Sequence, residues 1–162
     1  MKSEIKLILF DWGDTLMRDY KNNEGPMCFW ENVLVIEGVV NFLKHASPNY
    51  KMAVATNAGC SDTALMTQAL KRGGIETCFS SFFSSIDLGV SKPDPLFFTK
   101  IANALGLNTA QIAMIGNDYN KDIIPAKSVG MHTYFFNESN LIDSFIEADH
   151  VFTHFDQLHG LF

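Results

Sequence analysis

Three times in this chain a short, nearly continuous apolar run stops abruptly at acids, hydroxyls and amides. Residues 5–10 (IKLILF) run into Asp11-Trp12-Gly13-Asp14-Thr15, and residues 50–55 (YKMAVA) into Thr56-Asn57. Residues 111–115 (QIAMI) run into Gly116-Asn117-Asp118, with Asp122 close behind. Runs this short, without polar alternation, suit strands buried on both faces, and such strands belong to parallel sheets covered by helices. Residues 131–136 (MHTYFF) and, more weakly, 151–153 extend the pattern. Helix-period segments lie between the runs. Ala64, Leu65, Ala69 and Leu70 share a face after the cap signal Ser61-Asp62, and Gly73-Gly74 stops them. Phe97, Ile101, Ala104 and Leu105 repeat at helical spacing from Pro95 to Gly106. The alternation predicts an α/β fold: a doubly wound, mostly parallel, Rossmann-like sheet with helices on both faces. No repeat, low-complexity stretch or linker divides residues 1–162, so one domain is expected.

A chain of 162 residues, 47% of them hydrophobic, can bury a core without disulfide or metal staples. Eighteen acids against twelve lysines and arginines give a net charge of −6, which disfavours nucleic acid as a partner. No apolar run approaches the roughly 18 residues of a membrane span; the longest, residues 33–43, is broken by Glu37 and Gly38. Residues 1–6 lack a signal-peptide layout, because the apolar stretch that follows runs straight into Asp11. Cys28, Cys60 and Cys78 show no CxxC pairing and read as free thiols in a reducing compartment. A soluble, cytoplasmic protein is the expectation.

In doubly wound sheets, ligands collect beyond the carboxyl ends of the strands, near a topological switch point. That is where the polar clusters fall. Three or four carboxylates converging there repel one another and need a cation, and hard oxygen ligands suit Mg²⁺. Lys92, within Ser91-Lys92-Pro93-Asp94-Pro95, adds a fixed positive charge, while Thr56 and Asn57 add hydrogen-bond donors. A metal, a lysine and donors around a carboxylate make a receptor for a phosphoryl group. The carboxylate itself can be the nucleophile. None of the five histidines falls in these loops, so a Ser-His-Asp or Cys-His site has little support.

The four segments, in this order, resemble the haloacid dehalogenase (HAD) superfamily of phosphohydrolases. DWGDTL at residues 11–16 resembles the family's DxDGTL, and Thr56-Asn57 its second motif. Lys92-Pro93-Asp94-Pro95 resembles the lysine motif, and GNDYNKDI at residues 116–123 the acidic fourth motif. The resemblance implies Asp11 as nucleophile and Mg²⁺ ligand, with the Gly13 carbonyl as a second ligand and the fourth motif supplying the rest. It also implies that Thr56 and Asn57 hold phosphoryl oxygens and that Lys92 neutralises charge around Asp11. The reaction would be phosphomonoester hydrolysis through an aspartyl-phosphate, on a phosphorylated substrate, small or large.

Two departures stand out. The family's acid/base is an Asp two residues after the nucleophile, and here that position is Gly13, with Asp14 beside it as either a turn former or a displaced acid/base. The fourth motif usually reads Gly-Asp, and here it reads Gly-Asn-Asp. Either Asn117 replaces the acid, or Asp118 and Asp122 form the acidic pair; a carboxylate binds Mg²⁺ better than an amide, which favours Asp118. Asp122 has a second reading as a helix cap. The intervals between motifs are filled by helices the core needs, leaving residues 17–30 as a short flap and no substantial cap domain. Family members of that kind tend to act on large substrates or to use a neighbouring subunit as a lid, which leaves room for a homo-oligomer. Two rivals remain: a degenerate member that binds metal and phosphate with little turnover, and a receiver-like phosphoacceptor domain. Receivers carry the acceptor after a central strand, where this chain has Thr56-Asn57 and no acid.

Overall fold

The structure, a computed structural model, describes residues 4–162; the start of the leaderless stretch expected over residues 1–6 lies outside them. Six strands form one sheet: β1 (Leu7–Phe10), β2 (Lys51–Thr56), β3 (Ser81–Ser84), β4 (Ile112–Gly116), β5 (His132–Phe136) and β6 (His150–Phe152). Their order is β3-β2-β1-β4-β5-β6, and every pairing is parallel. The chain winds outward from β1 to β3, then returns to the other side of β1 and winds out again. The switch point therefore lies between β1 and β4.

Parallel neighbours on both edges explain why all four residues of β1 are buried. Successive side chains leave a strand on opposite faces, and the core divides accordingly. Ile8, Phe10, Met52, Val54, Ala113 and Ile115 pack on one face, against Phe42 and Leu43 of α1 (Val39–Ala46) and Met66 and Leu70 of α2 (Thr63–Arg72). Leu7, Leu9, Ala53, Ala55, Ile112 and Met114 pack on the other, against Phe97, Phe98 and Ile101 of α4 (Pro95–Leu105) and Ala126 of α5 (Ile124–Ser128). The expected helices start and stop for the expected reasons. The Asp62 side chain accepts from Leu65 N–H to cap α2, and Asp94 accepts from Leu96 N–H to cap α4, whose first residue is Pro95. Gly106, at φ 65°, ends α4 in the left-handed conformation. A four-residue helix, α3 (Ser85–Leu88), follows β3. Among the described residues, no helix is long and apolar enough to cross a membrane.

Candidate active site

Register brings the polar clusters together. Phe10 lies level with Val54 on one side and Ile115 on the other, so the residues just beyond each strand emerge along one edge. Asp11 continues the ladder, its N–H donating to the Ile115 carbonyl at 2.9 Å. The chain then folds tightly: the Trp12 carbonyl accepts from the N–H groups of Thr15, Leu16 and Met17 at 3.2, 2.9 and 3.2 Å. Asp14 takes the left-handed conformation, φ 59°, to make that turn. The turn brings the Thr15 hydroxyl to 3.0 Å from Asp11 Oδ2.

Lys92 reaches into this edge from the loop before α4. Its ammonium is buried and donates to Asp122 Oδ1 at 2.6 Å, Asp11 Oδ1 at 2.8 Å and the Ala55 carbonyl at 3.3 Å, with the Phe97 ring 5.8 Å away. Asn57 fixes the lysine from behind: its Nδ2 donates to the Lys92 carbonyl and its Oδ1 accepts from the Lys92 N–H, each at 2.7 Å. Gly116 makes room for the third member. A Cβ built there would stand 2.4 Å from the Asp122 Cβ, so only glycine lets Asp122 approach. Asp122 Oδ2 accepts from the Asp118 N–H at 3.0 Å. Burial alone would pull the Lys92 ammonium down, but two facing carboxylates outweigh it and hold its pKa above the ordinary value. Burial pushes the Asp122 carboxyl up, as does the facing Asp11, against the pull of Lys92.

The other oxygen of Asp11 faces a different set. The Asn117 Oδ1 stands 2.9 Å from Asp11 Oδ2 and 3.3 Å from the Gly13 carbonyl oxygen, and accepts from the Thr15 hydroxyl at 3.2 Å. Three acceptor oxygens thus converge with one proton donor among them. Two arrangements relieve this: a cation between them, or a half-turn of the amide that aims its NH₂ at all three partners. An octahedron of oxygens about 2.1 Å from Mg²⁺ has edges of about 3 Å, so the spacing suits that ion. Among the described residues no three His, Cys, Asp or Glu side chains gather for a metal. The set is one carboxylate, one backbone carbonyl and one amide.

These contacts place the residues expected from sequence as follows. Asn117, not Asp118, faces Asp11. Asp118 Oδ1 accepts from the N–H groups of Asn120 and Lys121 at 3.1 and 3.0 Å, capping the π-helical turn Tyr119–Ile123. Asp122 is turned to Lys92 rather than to the oxygen cluster. Asn57 spends its side-chain amide on Lys92, which leaves only its backbone for a ligand. Thr56 lines the cavity as expected, with no partner for its hydroxyl among the described residues. Asp14 is a turn former: its Oδ1 accepts from Arg18 Nη1 at 3.3 Å and from Asp19 N–H at 3.1 Å, and its Oδ2 lies 3.4 Å from Lys21 Nζ. Two residues not anticipated join the site: Thr15, and Asp19 from the segment expected as a flap. Asp11, Asp19, Thr56, Lys92, Asn117 and Asp122 line an open cavity of about 400 Å³, bounded on one side by Asn23, Gly25, Met27 and Trp30. Arg72 of α2 ties that wall down by donating to the carbonyls of Cys28, Trp30 and Glu31.

Known proteins resemble this chain in sequence and in fold. A family model described as haloacid dehalogenase-like hydrolase matches residues 19–130. The pyrimidine 5'-nucleotidase PynA of Streptococcus pneumoniae is 32% identical over 94 residues, 57% of this chain and 38% of that protein. The glyceraldehyde 3-phosphate phosphatase of Methanothermobacter thermautotrophicus is 30% identical over 105 residues, 65% of this chain and 44% of that protein. The chain thus spans about two fifths of the length of these curated relatives. The crystal structure of YfnB, a putative HAD-hydrolase of Bacillus subtilis bound to magnesium, matches with a TM-score of 0.79 at 13% identity, over 98% of this chain and 99% of that one, a likeness of fold. With the family model matching most of its length, the chain belongs to the haloacid dehalogenase-like hydrolases.

Proposed function

We propose that the chain is a Mg²⁺-dependent phosphomonoester phosphatase working through an aspartyl-phosphate on Asp11. One observation carries the reading. Asp11 is held on one side by a buried ammonium, 2.8 Å from Oδ1, and on the other its Oδ2 lies 2.9 Å from the side-chain amide of Asn117, which also stands 3.3 Å from the Gly13 carbonyl oxygen. Mg²⁺ fits that oxygen set and would be held by Asp11 Oδ2, the Gly13 carbonyl and Asn117 Oδ1. When bound, it supplies charge neutralisation beside a phosphoryl group.

The chain's own residues do the rest. Asp11 attacks phosphorus at the cavity floor. Lys92, fixed by Asn57 and balanced by Asp122, offsets the negative charge that a dianionic ester brings to a carboxylate. The Thr56 hydroxyl is free to donate to a phosphoryl oxygen, whereas the Ala58 N–H already donates to Ser85 Oγ at 3.2 Å. Water then releases phosphate from Asp11. The segment at residues 17–30 acts as a flap with no substantial cap over it, and the cavity stays open. Two relatives named for small organic phosphates support a phosphomonoester as substrate class. The free thiols of Cys28, Cys60 and Cys78 fit a cytoplasmic setting.

The test is hydrolysis of p-nitrophenyl phosphate with Mg²⁺, after chelation, and in Asp11→Asn. Turnover that needs the metal and vanishes in a cooperatively folded Asp11→Asn is the expected result. Retained turnover in that variant removes Asp11 from the chemistry.

A further inference from the structure

Glycine at position 13 is not demanded by its backbone, since Gly13 is absent from the residues with positive φ. Space at this position is tight instead. A Cβ built on Gly13 would stand 3.3 Å from Asp19 Cβ, 3.6 Å from Asp19 Cγ and 3.5 Å from Asp19 Oδ2. The volume that a side chain at position 13 would enter is filled by the carboxylate of another residue. The loop is built to put it there. The Asp14 N–H donates to the Met17 carbonyl at 2.7 Å, Gly13 bridges Met17 in parallel, and Asp14 Oδ1 accepts the Asp19 N–H at 3.1 Å. Asp19 lines the same cavity as Asp11, Lys92 and Asn117. Its Oδ2 accepts from Lys21 Nζ at 2.6 Å, and its Oδ1 has no partner among the described residues. Asp14, the neighbour that sequence alone offers as a substitute, is occupied on both oxygens.

We propose that Asp19 carries the proton in the hydrolysis proposed above, an inference that rests on that reading. In the first step an Asp11 oxygen bonds to phosphorus and the bond from phosphorus to the ester oxygen breaks. The electron pair leaves with the ester oxygen, which takes the proton of the Asp19 carboxyl and departs as the alcohol. In the second step water attacks phosphorus and gives a proton to the Asp19 carboxylate. The bond from phosphorus to Asp11 breaks, its pair returns to the Asp11 carboxylate, and inorganic phosphate departs. Both aspartates end as they began. Lys21, largely solvated, donates to Asp19 Oδ2 and leaves Oδ1 for the proton transfer.

The test uses the full chain with Mg²⁺ and two esters, p-nitrophenyl phosphate and glycerol 2-phosphate, in wild type, Asp19→Asn and Asp19→Ala. A positioned acid/base contributes about 10²–10⁴-fold. Glycerol 2-phosphate turnover should fall by that factor in both variants, because an alkoxide leaves badly without a proton. Nitrophenolate needs none, so both variants should release a burst of it equal to the enzyme, then slow while phosphorylated Asp11 accumulates. Adding Gly13→Asp to Asp19→Ala should recover at least tenfold of the alkyl activity, since the new side chain enters the vacated space. Alkyl turnover within threefold of wild type in Asp19→Asn overturns the proposal. Equal loss on both esters without a burst also overturns it, and leaves Asp19 a purely structural role. A wild type inert toward both esters, with no phosphorylated Asp11, overturns the phosphatase reading and this inference with it.

Discussion

Asn57 grips the backbone of Lys92 at both of its polar groups, through two hydrogen bonds of 2.7 Å across 35 positions of sequence. No other side chain could donate and accept in that fork except glutamine, whose extra methylene would push the loop away. Asn57→Ala leaves a half-buried carbonyl and N–H unpaired. We expect a loss of about 1–3 kcal/mol in stability, read by urea denaturation, and a fall in kcat larger than any rise in KM as the ammonium loses its place. A change confined to KM would mean that Asn57 contacts substrate instead.

The ion triad predicts non-additivity. Lys92→Met leaves Asp122 buried beside Asp11 with no cation, a change that typically costs about 3–5 kcal/mol. Asp122→Asn in the same chain removes the stranded charge, so the double variant should be more stable than Lys92→Met alone. Thermal unfolding of the four proteins gives the coupling directly. Simple addition of the two losses would mean that the three charges do not act as one unit.

Asn117 predicts opposite effects with and without metal. Asn117→Asp brings a second carboxylate to the place now 2.9 Å from Asp11 Oδ2. Without Mg²⁺ the two charges repel and the melting temperature should fall below wild type. With Mg²⁺ the added charge tightens binding, and the metal-induced rise in melting temperature should exceed that of wild type. Asp118→Asn should leave that rise unchanged, because its carboxylate caps the following turn. A larger effect on metal binding from Asp118→Asn than from Asn117→Ala would restore the register expected from sequence.

Asp149 gives a pH dependence remote from the site. Burial alone would raise its pKa, but the ion pair with Lys127 at 2.5 Å and the Thr133 N–H at 2.9 Å outweigh that and lower it. A carboxyl depressed in the folded state contributes stability above its unfolded pKa, about 3.9, and loses it as pH falls through the folded value. Asp149→Asn should therefore cost about 1 kcal/mol at pH 7 and progressively less below about pH 4. Denaturation midpoints of both proteins at pH 7 and pH 3 check it; a constant difference removes the ionic contribution.

The strands were legible because buried parallel strands leave continuous apolar runs, and the helix ends because Asp62, Asp94 and Gly106 are cap residues in cap positions. The sheet-edge strand β3, Ser81–Ser84, is mostly half-buried, which weakens the apolar signal that marks the central strands. Asp11 and Lys92 were legible because a carboxylate and a cation at strand ends have few structural uses. At the fourth motif, ligand chemistry favours the carboxylate of Asp118 over an amide, whereas register brings Asn117 beside Asp11. Asp19 was out of reach: eight positions beyond Asp11, it is brought back beside Gly13 only by the fold-back at Asp14, which no local periodicity announces.

The central place of β1 has a consequence during synthesis. Leu7 pairs with Lys51 on one side but with Ile112 on the other. At translation rates of about 5–20 residues per second, the second partner is made roughly 5–20 s after the strand it must cover. For that interval the most apolar strand of the sheet has an unpaired edge, the kind of surface that templates association between nascent chains. Asp11, at its end, waits for Lys92, which is made before β4, and longer still for Asp122, made just after it. Premature release from the ribosome anywhere before β4 should thus yield a product prone to aggregate and incapable of catalysis, however completely its first half has collapsed.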